Sequence, residues 1–273
     1  MSADATVRAG RLAASGASIM AGSVLADSTL EHYRGSFDNK AMVLPLAAST
    51  FSLVTDMAVA LHGPPRGGEA IGMSVHAAGA LTGAAGLAFH AYNLTKAPGR
   101  LRWSTLFYQA PIGAPAALIL ASTLGAAGQA LTAGASHLGP VPLRSGRALA
   151  GASAIGLAGT AAEAALLHFR GAYHNPVMWL PVTIPPLSAM ALARAAVTGR
   201  FGRITTAALA VTAALGLIGS GFHAYGIGRN MGGWRNWRQN LLSGPPLPAP
   251  PAFTGLAVAG LGALLLMRRT GDG

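Results

Sequence analysis

The chain has 273 residues, 52% of them hydrophobic and only 10% charged, against the roughly 25% charged residues of soluble domains, so too few charges remain to solvate a globular surface. Its 19 Lys and Arg against 8 acids give a net charge of +11, but the bases fall mainly between apolar stretches, where loops and lipid headgroups take them, and the surplus does not point to nucleic acid. There are no cysteines, which excludes disulfides, thiolate-held metals and clusters, and covalently attached c-type haem.

A bilayer crossing takes about 20 mostly apolar residues, and that length recurs along the chain. The pattern predicts an all-α, polytopic membrane bundle with eight spans. They lie at about residues 12–31, 41–62, 70–93, 105–131, 147–168, 176–197, 204–226 and 252–268. Met1 to Arg11 lacks the apolar run and cleavage site of a signal peptide, so the first membrane helix is expected to direct insertion. That span is rich in Ser, Ala and Gly and contains Asp27. The eighth, Ala252 to Met267, is short and free of charges. Before it comes the longest connection, with Trp234, Trp237 and a proline-rich run from Pro245 to Pro251. It is expected to be an extended segment with aromatic anchors, or a surface helix.

An even number of spans puts both termini on one side. That side carries ten of the 19 bases and the other side nine. The near-tie leans towards cytoplasmic termini in an inner (plasma) membrane, because Arg34 and Arg170 belong to motifs with their own reasons for holding a base.

Two stretches repeat. Residues 27–45 align without gaps on 163–181 through an acid-x4-His-aromatic-Arg-Gly-x-aromatic-x-Asn pattern: Asp27, His32, Arg34, Gly35 and Asn39 against Glu163, His168, Arg170, Gly171 and Asn175. Further on, Gly83-x2-Gly86-x2-Phe89-His90-Ala91-Tyr92 recurs as Gly216-x2-Gly219-x2-Phe222-His223-Ala224-Tyr225. The chain is therefore expected to be two four-helix repeats, 1–135 and 136–273. Four spans per repeat give both the same orientation. Two crossings separate the histidines within each repeat, so all four belong at one membrane face.

Paired histidines on alternate helices suit axial ligation of b-type haem. His32, His90, His168 and His223 are the expected ligands. Gly83, Gly86, Gly216 and Gly219, one and two turns before a histidine on its own face, would make room for the macrocycle. Arg34 and Arg170 would pair with propionates or a quinone head group. Such a subunit would pass electrons between quinone and a partner dehydrogenase or cytochrome, with no substrate chemistry of its own. The structural counterpart is that small residues at this spacing also let membrane helices approach closely.

A second expectation is a transition-metal site built from Asp27, Glu163 and the same four histidines, in a membrane enzyme or metal handler. A third is a proton-coupled transporter, because acids inside spans are costly and invite a functional explanation; Asp56 is the mid-span case. His76, fourteen residues before His90, would ligate a second haem on the opposite face with His62 as partner. Asn39 and Asn175 are expected helix N-caps, and Pro45, Pro181, Pro185 and Pro186 are expected to kink their helices. No nucleotide loop, hydrolase elbow or His-Glu-x-x-His pair occurs.

Overall fold

The computed structural model describes residues 3–63, 67–100, 102–103, 105 and 113–268. Almost all of the described chain is helical: α1 (Ala3–Arg34), α2 (Leu44–His62), α3 (Glu69–Lys96), α4 (Gly113–Thr132), α5 (Arg147–Arg170), α6 (Leu180–Thr198), α7 (Arg203–Gly228), the short α8 (Trp237–Ser243) and α9 (Pro251–Met267). A two-stranded hairpin, β1 (His137–Leu138) and β2 (Val141–Pro142), joins α4 to α5. The first residues expected of span four, 106–112, lie outside the described residues, as do Arg66 and Arg269.

Among the described residues six helices, α2 to α7, are long and apolar enough to cross a membrane. Their outer faces expose Phe51, Val54, Ile71, Leu81, Ile155, Val197, Ile204 and Leu217, an apolar belt that water does not tolerate and hydrocarbon does. Three exposed hydroxyls on these helices bond back to their own backbone: Thr50 to the Leu46 carbonyl at 2.8 Å, Ser74 to Ala70 at 2.9 Å and Thr123 to Ile119 at 2.8 Å. Each polar group is thereby satisfied without water.

The faint first span and the short eighth, α1 and α9, occupy the middle. Ala9, Ala13, Ala17, Met20 and Ala21 of α1 share one buried core with Leu256, Ala257, Ala259 and Ala263 of α9. Glycines set their approach. A Cβ on Gly16 would strike the Gly255 carbonyl, and one on Gly10 would lie 2.8 Å from the Gly128 carbonyl. Close backbone contact through small residues is how membrane helices associate when lipid competes for every apolar side chain.

Packing also fixes which helices face one another. Both α1 and α3 pack on α2 and α4, so α1 and α3 stand at diagonal corners of one four-helix group. Both α5 and α7 pack on α6 and α9, the same diagonal arrangement. The groups meet where α1 packs on α9 and α4 on α5.

Asn39 and Asn175 are caps as expected, each starting a 3-10 turn that leads into the next helix. Their Oδ1 atoms accept from Ala41 N at 2.9 Å and Val177 N at 3.0 Å. Pro45 and Pro181 do not kink their helices, because they sit in the first turn, where a missing N–H costs nothing. Pro185 and Pro186 lie inside α6, which the backbone continues through.

Candidate functional site

The repeated acid–histidine motif forms the same turn twice. After α1, Ser36 and Phe37 take φ of 57° and 50°; after α5, Ala172 and Tyr173 take 54° and 47°. Left-handed backbone at residues other than glycine costs of order 1 kcal/mol each and persists only where surroundings impose it. Here the surroundings are shared. Phe37 N donates to the His32 carbonyl at 3.0 Å and Tyr173 N to the His168 carbonyl at 3.1 Å. Each aromatic meets its histidine edge-on, with centroids 6.1 and 6.2 Å apart. Gly35 and Gly171 lie against the Met42 and Met178 side chains.

The histidine rings are locked as well. His32 Nδ1 lies 2.7 Å from the Met42 carbonyl, and His168 Nδ1 lies 2.9 Å from the Met178 carbonyl. In the second motif, His223 Nδ1 lies 2.8 Å from the Pro246 carbonyl. A carbonyl only accepts, so Nδ1 holds the proton in all three and Nε2 keeps its lone pair while the ring is neutral. That is the arrangement in which imidazoles ligate metals: one nitrogen donates to a fixed acceptor and orients the other.

Electrostatic reach links the histidines two by two. His90 lies within electrostatic reach of His32, and His223 within reach of His168. They come from the diagonal helices, α1 with α3 and α5 with α7. Asp27 lies within reach of Glu163, which puts both pairs at the same end of the bundle.

Other expected residues take different parts. Gly83 and Gly216 do not open a slot. A Cβ on Gly83 would lie 2.7 Å from the Pro115 carbonyl, and one on Gly216 would lie 2.7 Å from the Pro250 carbonyl. Gly86 and Gly219 face the rings of the same two prolines, with such a Cβ at 3.5 and 2.9 Å. All four glycines therefore serve the approach of α3 to α4 and of α7 to α9. Phe89, Tyr92, Phe222 and Tyr225 point outwards and are exposed. Arg34 forms an ion pair with Glu31 and also reaches Asp27, while Arg170 reaches Glu163. Each motif acid thus lies within electrostatic reach of the arginine seven residues on. Among the described residues, no three His, Asp or Glu side chains gather as a metal site, so the mixed carboxylate–histidine set is not assembled there.

His76 and His62 are not partners. His62 is exposed at the end of α2, whereas His76 is 2% exposed with Nε2 3.5 Å from Asp56 Oδ1.

Of the two expected forms the long connection shows the surface helix; the proline-rich run is not an extended segment but turns, with Ala249 N donating to the Pro246 carbonyl at 3.2 Å. The short surface helix α8 carries exposed Trp237, and the proline-rich run follows it. Sequence reasoning missed what that run does. Its carbonyls accept from His223 at Pro246, from Ser220 at Leu247 (3.3 Å) and from Ser23 at Pro248 (2.5 Å), which straps α1 and α7 beside the histidine. A sequence signal was available: Pro111, Ala114 and Pro115 have the same spacing as Pro246, Ala249 and Pro250. No protein-family model, curated protein or solved structure matches the chain.

Proposed function

We propose that the chain is a haem-b electron-transfer subunit of a membrane oxidoreductase, made of two parallel four-helix repeats, 1–135 and 136–273, with eight crossings. His32 and His90 hold one haem iron and His168 and His223 the other. The observation that carries this is the Nδ1–carbonyl bond at three of the four histidines. Structural histidines have no need to present the same nitrogen three times, in two different sequence contexts.

The residues fit the group in a second respect. His32 and His90, like His168 and His223, come from diagonal helices of a four-helix group, and the interior of such bundles is a common place for cofactors. The chain's part is to fix two imidazoles per iron, raise their basicity through the carbonyl bonds, and exclude water with apolar walls. Arg34 and Arg170, at the same end, would pair with propionates or an anionic quinone head group. Haem b, once bound, supplies one-electron redox chemistry at that end of the membrane. Quinone and a partner dehydrogenase or cytochrome are the exchange partners this requires. The glycines take no part beyond packing.

Two features support the eight-crossing, two-repeat account: matched turns follow α1 and α5, and α1 and α9 fill the centre of the six apolar helices. The β1–β2 hairpin falls at the boundary between repeats. The proposed membrane is the inner one, with both termini on its cytoplasmic side.

An optical spectrum tests the function. Purified full-length protein, reduced with dithionite or a quinol, is expected to show the sharp α-band of bis-histidine haem in the reduced-minus-oxidised difference. A blank difference spectrum from protein expressed with haem supplied overturns it.

A further inference from the structure

One polar seam enters the first bundle away from the four motif histidines. Glu69, Gly72, His76 and Gly79 recur every three or four residues on α3 and so share a face. Gln129, Gly125 and Ser122 do the same on α4, and Ser49, Ser52 and Asp56 on α2. The glycines let the faces touch. A Cβ on Gly72 would strike Gln129 Oε1, one on Gly79 would strike Ser122 Oγ, and one on Gly125 would strike both Asp56 and His76.

Asp56 is 0% exposed and His76 is 2% exposed. Apart from their mutual 3.5 Å approach, neither carboxylate oxygen and neither ring nitrogen has a hydrogen-bond partner among the described residues, and Ser49 Oγ, Ser52 Oγ and Ser122 Oγ are likewise unpaired. Buried polar atoms are nearly always satisfied, so this cluster is built around something mobile and small. Towards the Glu69 end, Gln129 Nε2 donates to the Glu69 carbonyl at 2.6 Å while its Oε1 is buried without a partner. Glu69 itself is exposed. His76 is seven residues further along α3, about 10 Å of helix.

The second half shows what this position needs for folding alone. There Gly260 of α9 stands where Gly125 stands in α4, and a Cβ on it would meet Leu192 at 3.0 Å and Leu209 at 3.4 Å. Leu192 of α6 and Leu209 of α7 are both fully buried. The same niche is thus filled by two leucines in one half and by an acid and a base in the other. Leucines pack; an acid–base pair inside a membrane is expensive and earns its place chemically.

We infer that Asp56 and His76 form a proton-binding site in the membrane interior, loaded from the Glu69 face through the Gln129 seam. One proton is exchanged between the aqueous phase and the pair and held on the Asp56 carboxyl beside a neutral His76, with no other bond made or broken. The groups facing it are Ser49 and Ser52 from α2, and Ser122 and Gln129 from α4. From α1, Ser18 donates to the Leu53 carbonyl. No other buried ionisable side chain occurs among the described residues. The site stands apart from the four motif histidines and does not depend on haem.

The test is infrared spectroscopy of the full-length protein in nanodiscs, stepping bath pH in H2O and in D2O. A protonated-carboxyl band that titrates and shifts on deuteration is expected in the wild type. It is lost in Asp56→Asn, which keeps the shape. It is also lost in Asp56→Leu/His76→Leu, which copies the second half's packing and is expected to fold at least as stably, since well-packed apolar replacements of buried ion pairs usually do. No such band in the wild type, a band indifferent to pH, or a band that survives in both variants overturns the proposal. Haem content is unaffected in every variant, so the two proposals fail separately.

Discussion

The bonds from His32 to Met42 and from His168 to Met178 tie the end of one helix to the start of the next, and Asn39 and Asn175 begin that next element. Replacing either asparagine by alanine removes a cap, and thermal unfolding in detergent is expected to show a loss of about 1 kcal/mol. Gly216→Ala is expected to be worse. The new Cβ lies 2.7 Å from the Pro250 carbonyl and 2.8 Å from Thr254 N, and such overpacking costs about 1–3 kcal/mol. Gly159→Ala is the control: beyond its own helix backbone, no atom among the described residues lies within 4 Å of the added Cβ. It is expected to leave stability unchanged or raise it by up to about 1 kcal/mol, because alanine suits a helix interior better. The motif histidines, the caps and Asp56 were legible as residues of interest from spacing and cost alone. The glycine role was not, because a residue without a side chain reads identically beside a cofactor and beside another helix. Nor did spacing reveal the Asp56–His76 pair, which depends on how α2 and α3 turn their faces towards each other.

At the scale of elements, hydropathy ranked the helices by what they face rather than by whether they belong to the bundle. Lipid-facing α2, α3, α6 and α7 carry large apolar side chains and were clear. In α1, alanine, glycine and serine are what close packing against α4 and α9 requires, so its signal was faint although it lies at the centre. Gly16→Leu is therefore expected to separate α1 from α9 and expose the pair to limited proteolysis, whereas Leu81→Ala on the outer face of α3 is expected to leave the protease pattern unchanged. Protease resistance in Gly16→Leu equal to wild type would contradict a central α1. Prolines were misread for a related reason: position within a helix decides their effect, and Pro45 and Pro181 fall in the first turn, where the lost N–H has no partner to lose.

For the molecule as a whole, the turns after α1 and α5, the diagonal helix pairs and the glycine–proline contacts match, and under the proposed two-repeat organisation differences between the repeats locate specialised chemistry. Because the chain has no cysteine, its topology is open to single-cysteine labelling with a membrane-impermeant thiol reagent. Cysteines at Asp4 and Arg268 are expected to label from one side, and cysteines at Lys40 and Lys96 from the other. The most direct measurement of the central claim is haem per polypeptide in the purified wild type, in His90→Ala and in His223→Ala. Two haems in the wild type and one in each variant are predicted. A wild type without haem, or variants that keep both, would contradict paired histidine ligation in each half.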